Sequence, residues 1–129
     1  MDILSQLFQK FEINRLVLSC PELQFIEKDN TRKILKLLVD NGCSNRVLRS
    51  IIIMNPSFLL RSYDSIFDLV KCFNEYGIEN IDLMLLTYPF ILDKTPYEID
   101  NFYIKKRQEG YSNEDIGNIL EVEGALIEE

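Results

Sequence analysis

Histidine is absent from this chain and alanine occurs once. No apolar run reaches the ~18 residues of a membrane span. Each shortage excludes something. Without histidine, no Ser–His or Cys–His nucleophile–base pair can be assembled. The three cysteines, Cys20, Cys43 and Cys72, show no C-x-x-C spacing. They are too few for a four-ligand zinc site and read as buried thiols that behave as small hydrophobes. The five glycines lie too far apart for a phosphate-cradling loop. The opening residues carry Asp2 and Glu12 around Lys10 and have neither a basic leader nor an apolar signal core. A soluble, intracellular, cytoplasmic protein is therefore expected, with no membrane partner, no metal, no cofactor and no small-molecule substrate.

What is present is periodic. Prolines stand at 21, 56 and 89, and glycines at 42, 77 and 110. Each glycine follows its proline by 21 residues, and the steps along the chain are 35 and 33. Two markers in one phase define a unit of about 34 residues. Apolar residues keep the phase. Leu23, Phe58 and Ile91 come two after each proline, and Ile34, Leu69 and Phe102 come thirteen after. Ile13, Leu48 and Ile81 come eight before, and Leu18, Ile53 and Leu86 three before. All are expected in the core, at helical spacing.

Helix punctuation agrees. Thr95, Pro96 and Glu98 form a capping box with proline at the first helical position. Ser62 occupies the equivalent place one unit earlier, and Ser44 and Ser112 each follow a marker glycine by two. The glycines suit the left-handed residue that closes a helix, and the prolines suit the end of a shorter one. Each unit thus reads as a short helix, a proline corner with a brief apolar turn, a longer helix and a glycine. After Gly110 a partial unit follows, with Gly124 at the proline place and Leu126 at that of Phe58. The expectation is an all-α helical-repeat domain over residues 1–129, with about three units plus a partial C-terminal one.

The stretches "GCSNRVLRSIIIMNPSFLLRS", "GIENIDLMLLTYPFILDKT" and "GYSNEDIGNILEVEGALIEE" resemble the helical repeats of the mitochondrial transcription termination factor (mTERF) family. The carriers are the glycine and capping residue, the short amphipathic helix, the proline and the doublets Leu59-Leu60 and Ile91-Leu92. The resemblance spans roughly residues 13–127. It implies a short left-handed superhelical solenoid of paired helices closed by a 3₁₀ turn, and binding of duplex DNA or RNA through a basic concave face. Tetratricopeptide repeats share the period, but their W-x₂-L-G-x₂-Y signature and small-residue packing are absent.

Charge divides the chain. Residues 1–64 hold nine basic and seven acidic side chains, and residues 65–129 hold five and fourteen. Arg32, Lys33, Lys36, Arg46 and Arg49 are the candidates for phosphate contact, since such binding needs several cations on one face. Glu114, Asp115, Glu121 and Glu123 would repel a nucleic-acid backbone and attract a basic protein. Asp64 with Asp68, and Glu98 with Asp100, sit near helix starts and read as solvated residues favoured by the helix dipole. Tyr76, Tyr88 and Tyr111 read as packing at unit junctions. A non-enzymatic module that binds a protein partner is expected, and an mTERF-like nucleic-acid-binding protein acting in transcription is the alternative.

Overall fold

Capping residues set where each helix begins. In the computed structural model, which describes residues 2–128, Ser44 Oγ accepts from the Val47 amide, Ser62 Oγ from Ser65 and Ser112 Oγ from Asp115, each at 3.2 Å. Thr95 and Glu98 form the capping box. Three starts use other residues. The Gln9 amide donates to Glu12 at 2.9 Å ahead of Lys10. Glu27 accepts from the amides of Asp29 and Asn30, which holds its carboxyl below the ordinary range, and Asn80 accepts from Leu83. Helix ends follow the glycines. Gly42, Gly77 and Gly110 have φ of 100°, 76° and 100°, a region that L side chains enter at a cost.

The resulting helices are α1 (Asp2–Ser5), α2 (Lys10–Ser19), α3 (Lys28–Asp40), α4 (Asn45–Met54), α5 (Tyr63–Glu75), α6 (Ile81–Thr87), α7 (Pro96–Gln108) and α8 (Asn113–Glu123). Between short and long helix lie 3₁₀ turns at Pro21–Phe25, Pro56–Leu60 and Pro89–Asp93, and a fourth at Gly124–Glu128 follows α8. Each turn opens on a marker proline or on Gly124, as the repeat requires. Gly124 is tightly placed: a Cβ there would stand 3.0 Å from that of Tyr88. The described residues contain no strand and no helix long and apolar enough to cross a membrane.

The helices form two layers. Short helices pack on short (α4 on α6, α6 on α8) and long on long (α3 on α5, α5 on α7). One core runs between the layers. Leu23, Phe58, Ile91, Ile34 and Leu69 are fully buried, and Phe102 nearly so. Cys20, Cys43 and Cys72 are free and buried. Burial pushes the Cys43 thiol up to about 12 and the Cys72 thiol to about 11, with Asp82 and Asp100 adding to the two shifts.

One expectation fails. Leu18, Ile53 and Leu86 are not core residues but are 82 %, 52 % and 40 % exposed. The reason is helical phase. The inner face of each short helix is set by the residues eight, five and four before the marker, such as Leu48, Ile51 and Ile52, all buried. A residue three before the marker follows the first of these by five positions, which turns it about 140° away.

Polar side chains tie unit to unit at the corner end of the long helices. Asn30 accepts from the Tyr63 amide at 2.7 Å and donates to the Arg61 carbonyl at 2.9 Å. Arg61 in turn donates to the carbonyls of Leu92 and Lys94. Lys94 then pairs with Glu128 at 2.6 Å. Buried Asn55 donates to Asp93 at 3.2 Å and accepts from Ser57 at 2.8 Å.

Candidate functional site

The acidic candidates lie on α8 and the loop that faces it. Ser112 caps α8 and so places Glu114 and Asp115 in its first turn, where carboxylates complement the helix dipole. Gly77 turns the chain after α5 and brings Glu79 and Asn80 back beside α8. Glu121 fixes this approach by accepting from the Asn80 amide at 3.0 Å, while Thr87 donates to the Glu121 carbonyl at 2.9 Å. The result is a groove of about 440 Å³ whose walls carry Glu79, Glu114 and Glu121 together with Asn80, Asn113 and Asn118. Asp115 and Glu123 are exposed on α8 and lie outside the groove walls.

Glu79 escaped the sequence reading, although a signal existed. It stands ten residues before Pro89, as Glu114 stands ten before Gly124. The amides carried no such signal, because Asn80, Asn113 and Asn118 share a groove only once α8 packs beside the loop after Gly77.

At the wall of the groove, Tyr76 stacks on Tyr103 with ring centroids 3.7 Å apart, and its hydroxyl donates to Asp100 at 2.6 Å. Burial and that bond push the Tyr76 phenol up to about 12. Asp100 thus serves a unit junction, and Glu98 serves a cap and pairs with Lys94 at 3.7 Å. Tyr88 donates to Glu128 and closes the last corner.

The basic candidates are dispersed. Arg32 and Lys36 line one groove beside Leu7 and Leu48, of about 330 Å³. Arg32 pairs with Asp29 at 3.2 Å and Lys36 with Asp40 at 2.8 Å, within the same helix. Lys33 instead leans toward α5, its Nζ 5.9 Å from the Tyr63 ring centre. Arg49 is committed to holding α2 against α4. It pairs with Glu12 at 3.0 Å, donates to the Leu7 carbonyl and stands 5.1 Å over the Phe8 ring. Arg46 is exposed on α4. The five therefore do not converge on one point. Among the described residues, no three of His, Cys, Asp and Glu cluster so as to hold a metal ion.

Compared with known proteins, the chain matches no family model, no curated protein and no solved structure.

Proposed function

We propose that this chain is a non-enzymatic interaction module, an mTERF-like superhelical array of helical repeats, that binds a basic protein partner through the acidic groove between α8 and the loop that precedes α6. One observation carries the reading: Glu79, Glu114 and Glu121 share a groove with three amides. That set offers charge and hydrogen-bond acceptors to a lysine or arginine side chain. On the other half of the chain, Arg32, Lys36 and Arg49 already face carboxylates of their own. Their attraction for a phosphate backbone is correspondingly reduced, since little net positive charge is left to release counterions.

Fluorescence anisotropy at about 50 mM salt separates this from the alternative. A labelled lysine- and arginine-rich peptide should bind, and Glu79→Gln with Glu114→Gln should weaken it. A labelled generic duplex should show no binding up to about 10⁻⁴ M, the weak end for non-specific binders. A salt-sensitive micromolar duplex signal that Arg32→Glu with Lys36→Glu abolishes would replace the protein partner with a nucleic acid.

A further inference from the structure

The outer face of the short-helix layer carries a charge order of its own. It is built from the places ten, six, three and two before each marker. Along this face the N-terminal units present Arg15 and Arg46, and the C-terminal units present Glu79, Glu114 and Glu121. Arg15, Arg46, Glu79 and Glu114 are exposed, and Glu121 is half-buried and accepts from the Asn80 amide. Between these charges runs an apolar row. Leu18, Ile53, Met54 and Leu86 are 82 %, 52 %, 59 % and 40 % exposed. Val122 extends the row on α8, 56 % exposed. A line of large apolar side chains flanked by charge marks a docking surface.

We infer that this face docks on the same face of a second copy of the chain, with the two arrays antiparallel. A two-fold axis would lie in the interface, across the array, between α4 and α6. An interface of that symmetry uses one patch twice, so the patch must complement itself when reversed. This one does. Reversal sets α2 against α8 and α4 against α6 of the other copy. Arg15 then meets the Glu114 end, Arg46 meets the Glu79 end, and Ile53 and Met54 meet Leu86. Parallel docking would put like charge on like charge, which opposes that register. A standard interface takes roughly 800 Å² from each partner, about a ninth of the 7313 Å² accessible here. The four short helices supply the breadth.

The inference rests on the proposal that the acidic half receives a basic protein surface, and it identifies that surface as the basic half of a second copy. Sedimentation velocity over roughly 1–300 µM protein tests it. The wild-type chain should dimerise at about 50 mM salt and dissociate at about 500 mM, because exposed charges are then screened. Arg15→Glu with Arg46→Glu should weaken the dimer on the order of tenfold or more, and so should Glu79→Lys with Glu114→Lys. Mixing those two variants in equal amounts should restore a one-to-one heterodimer. Ile53→Asp, a single exposed change, should also dissociate it, which keeps the test open if a double variant fails to fold by circular dichroism. A wild-type monomer over the whole range would overturn the inference, as would folded charge-reversed variants that still self-associate or that fail to pair with each other. A monomer that nevertheless binds the basic peptide would sink self-docking and leave the acidic-groove reading standing.

Discussion

Thr31 is fully buried and its hydroxyl has no hydrogen-bond partner, while Ile66 and Ile99 hold the equivalent places. An unsatisfied buried hydroxyl costs about 1–3 kcal/mol. Thr31→Val should therefore raise stability by about 1 kcal/mol in urea titration, and an unchanged or lower midpoint would contradict that burial. Leu69 and Leu86 make the opposite contrast. Leu69→Ala empties a fully buried site and should cost about 2–5 kcal/mol. Leu86→Ala, 40 % exposed, should cost under about 1 kcal/mol. Equal melting temperatures for these two variants would refute the helical phase described above. Tyr76 carries a pH prediction. Its phenol is raised from 10.0 to about 12, so the protonated form is the one the fold favours. The stabilisation is complete below pH 10 and disappears as pH rises through 12, and the thiols of Cys43 and Cys72 act in the same direction. Tyrosinate absorbance should thus rise in that window together with loss of helical ellipticity, and Tyr76→Phe should lessen the alkaline loss.

The short helix, corner and long helix depend on two backbone devices. Proline has no amide proton to donate and disfavours α conformation before it, so Pro89 separates α6 from α7. Hydrogen exchange should show a break in protection near Tyr88 and Phe90, and continuous slow exchange from Ile81 to Lys94 would refute the corner. Gly77 has φ of 76° and nothing within 4 Å of where a Cβ would stand. Gly77→Ala should therefore cost roughly 1–2 kcal/mol through conformation alone. It should also loosen the groove, because this turn brings Glu79 to α8.

Across the molecule, each unit packs on its neighbours, and the ties Asn30–Arg61, Arg61–Lys94 and Lys94–Glu128 each span one junction. Stability in such an array adds up from unit and junction contributions. The central helices α5 and α6 have a neighbour on both sides. Their amides should exchange most slowly at equilibrium, with protection falling toward α2 and α8. Uniform protection along the chain would mean that the units unfold as one block.

Local chemistry and global arrangement divided the work between them. Ser44, Ser62, Ser112 and Thr95 cap helices through contacts three residues apart, the marker glycines bend one peptide, and proline acts on its own neighbours. Effects of that range are written in short stretches of sequence, so the period, the corners and the all-helical class were legible there. Three starts were not, because Gln9, Glu27 and Asn80 stand at helix starts without the usual serine or threonine. Which apolar residues lie inside was legible only in part. Both the buried Leu48 and the exposed Leu86 keep the repeat period, and period alone does not say which side of a short helix faces its neighbours. The surfaces depended on tertiary structure entirely. Arg49 and Glu12 are 37 positions apart and Asn80 and Glu121 are 41 apart. Only the stacking of units could neutralise the first pair and gather Glu79, Glu114 and Glu121 into one groove, because electrostatic interaction depends on distance through space and not on separation along the chain.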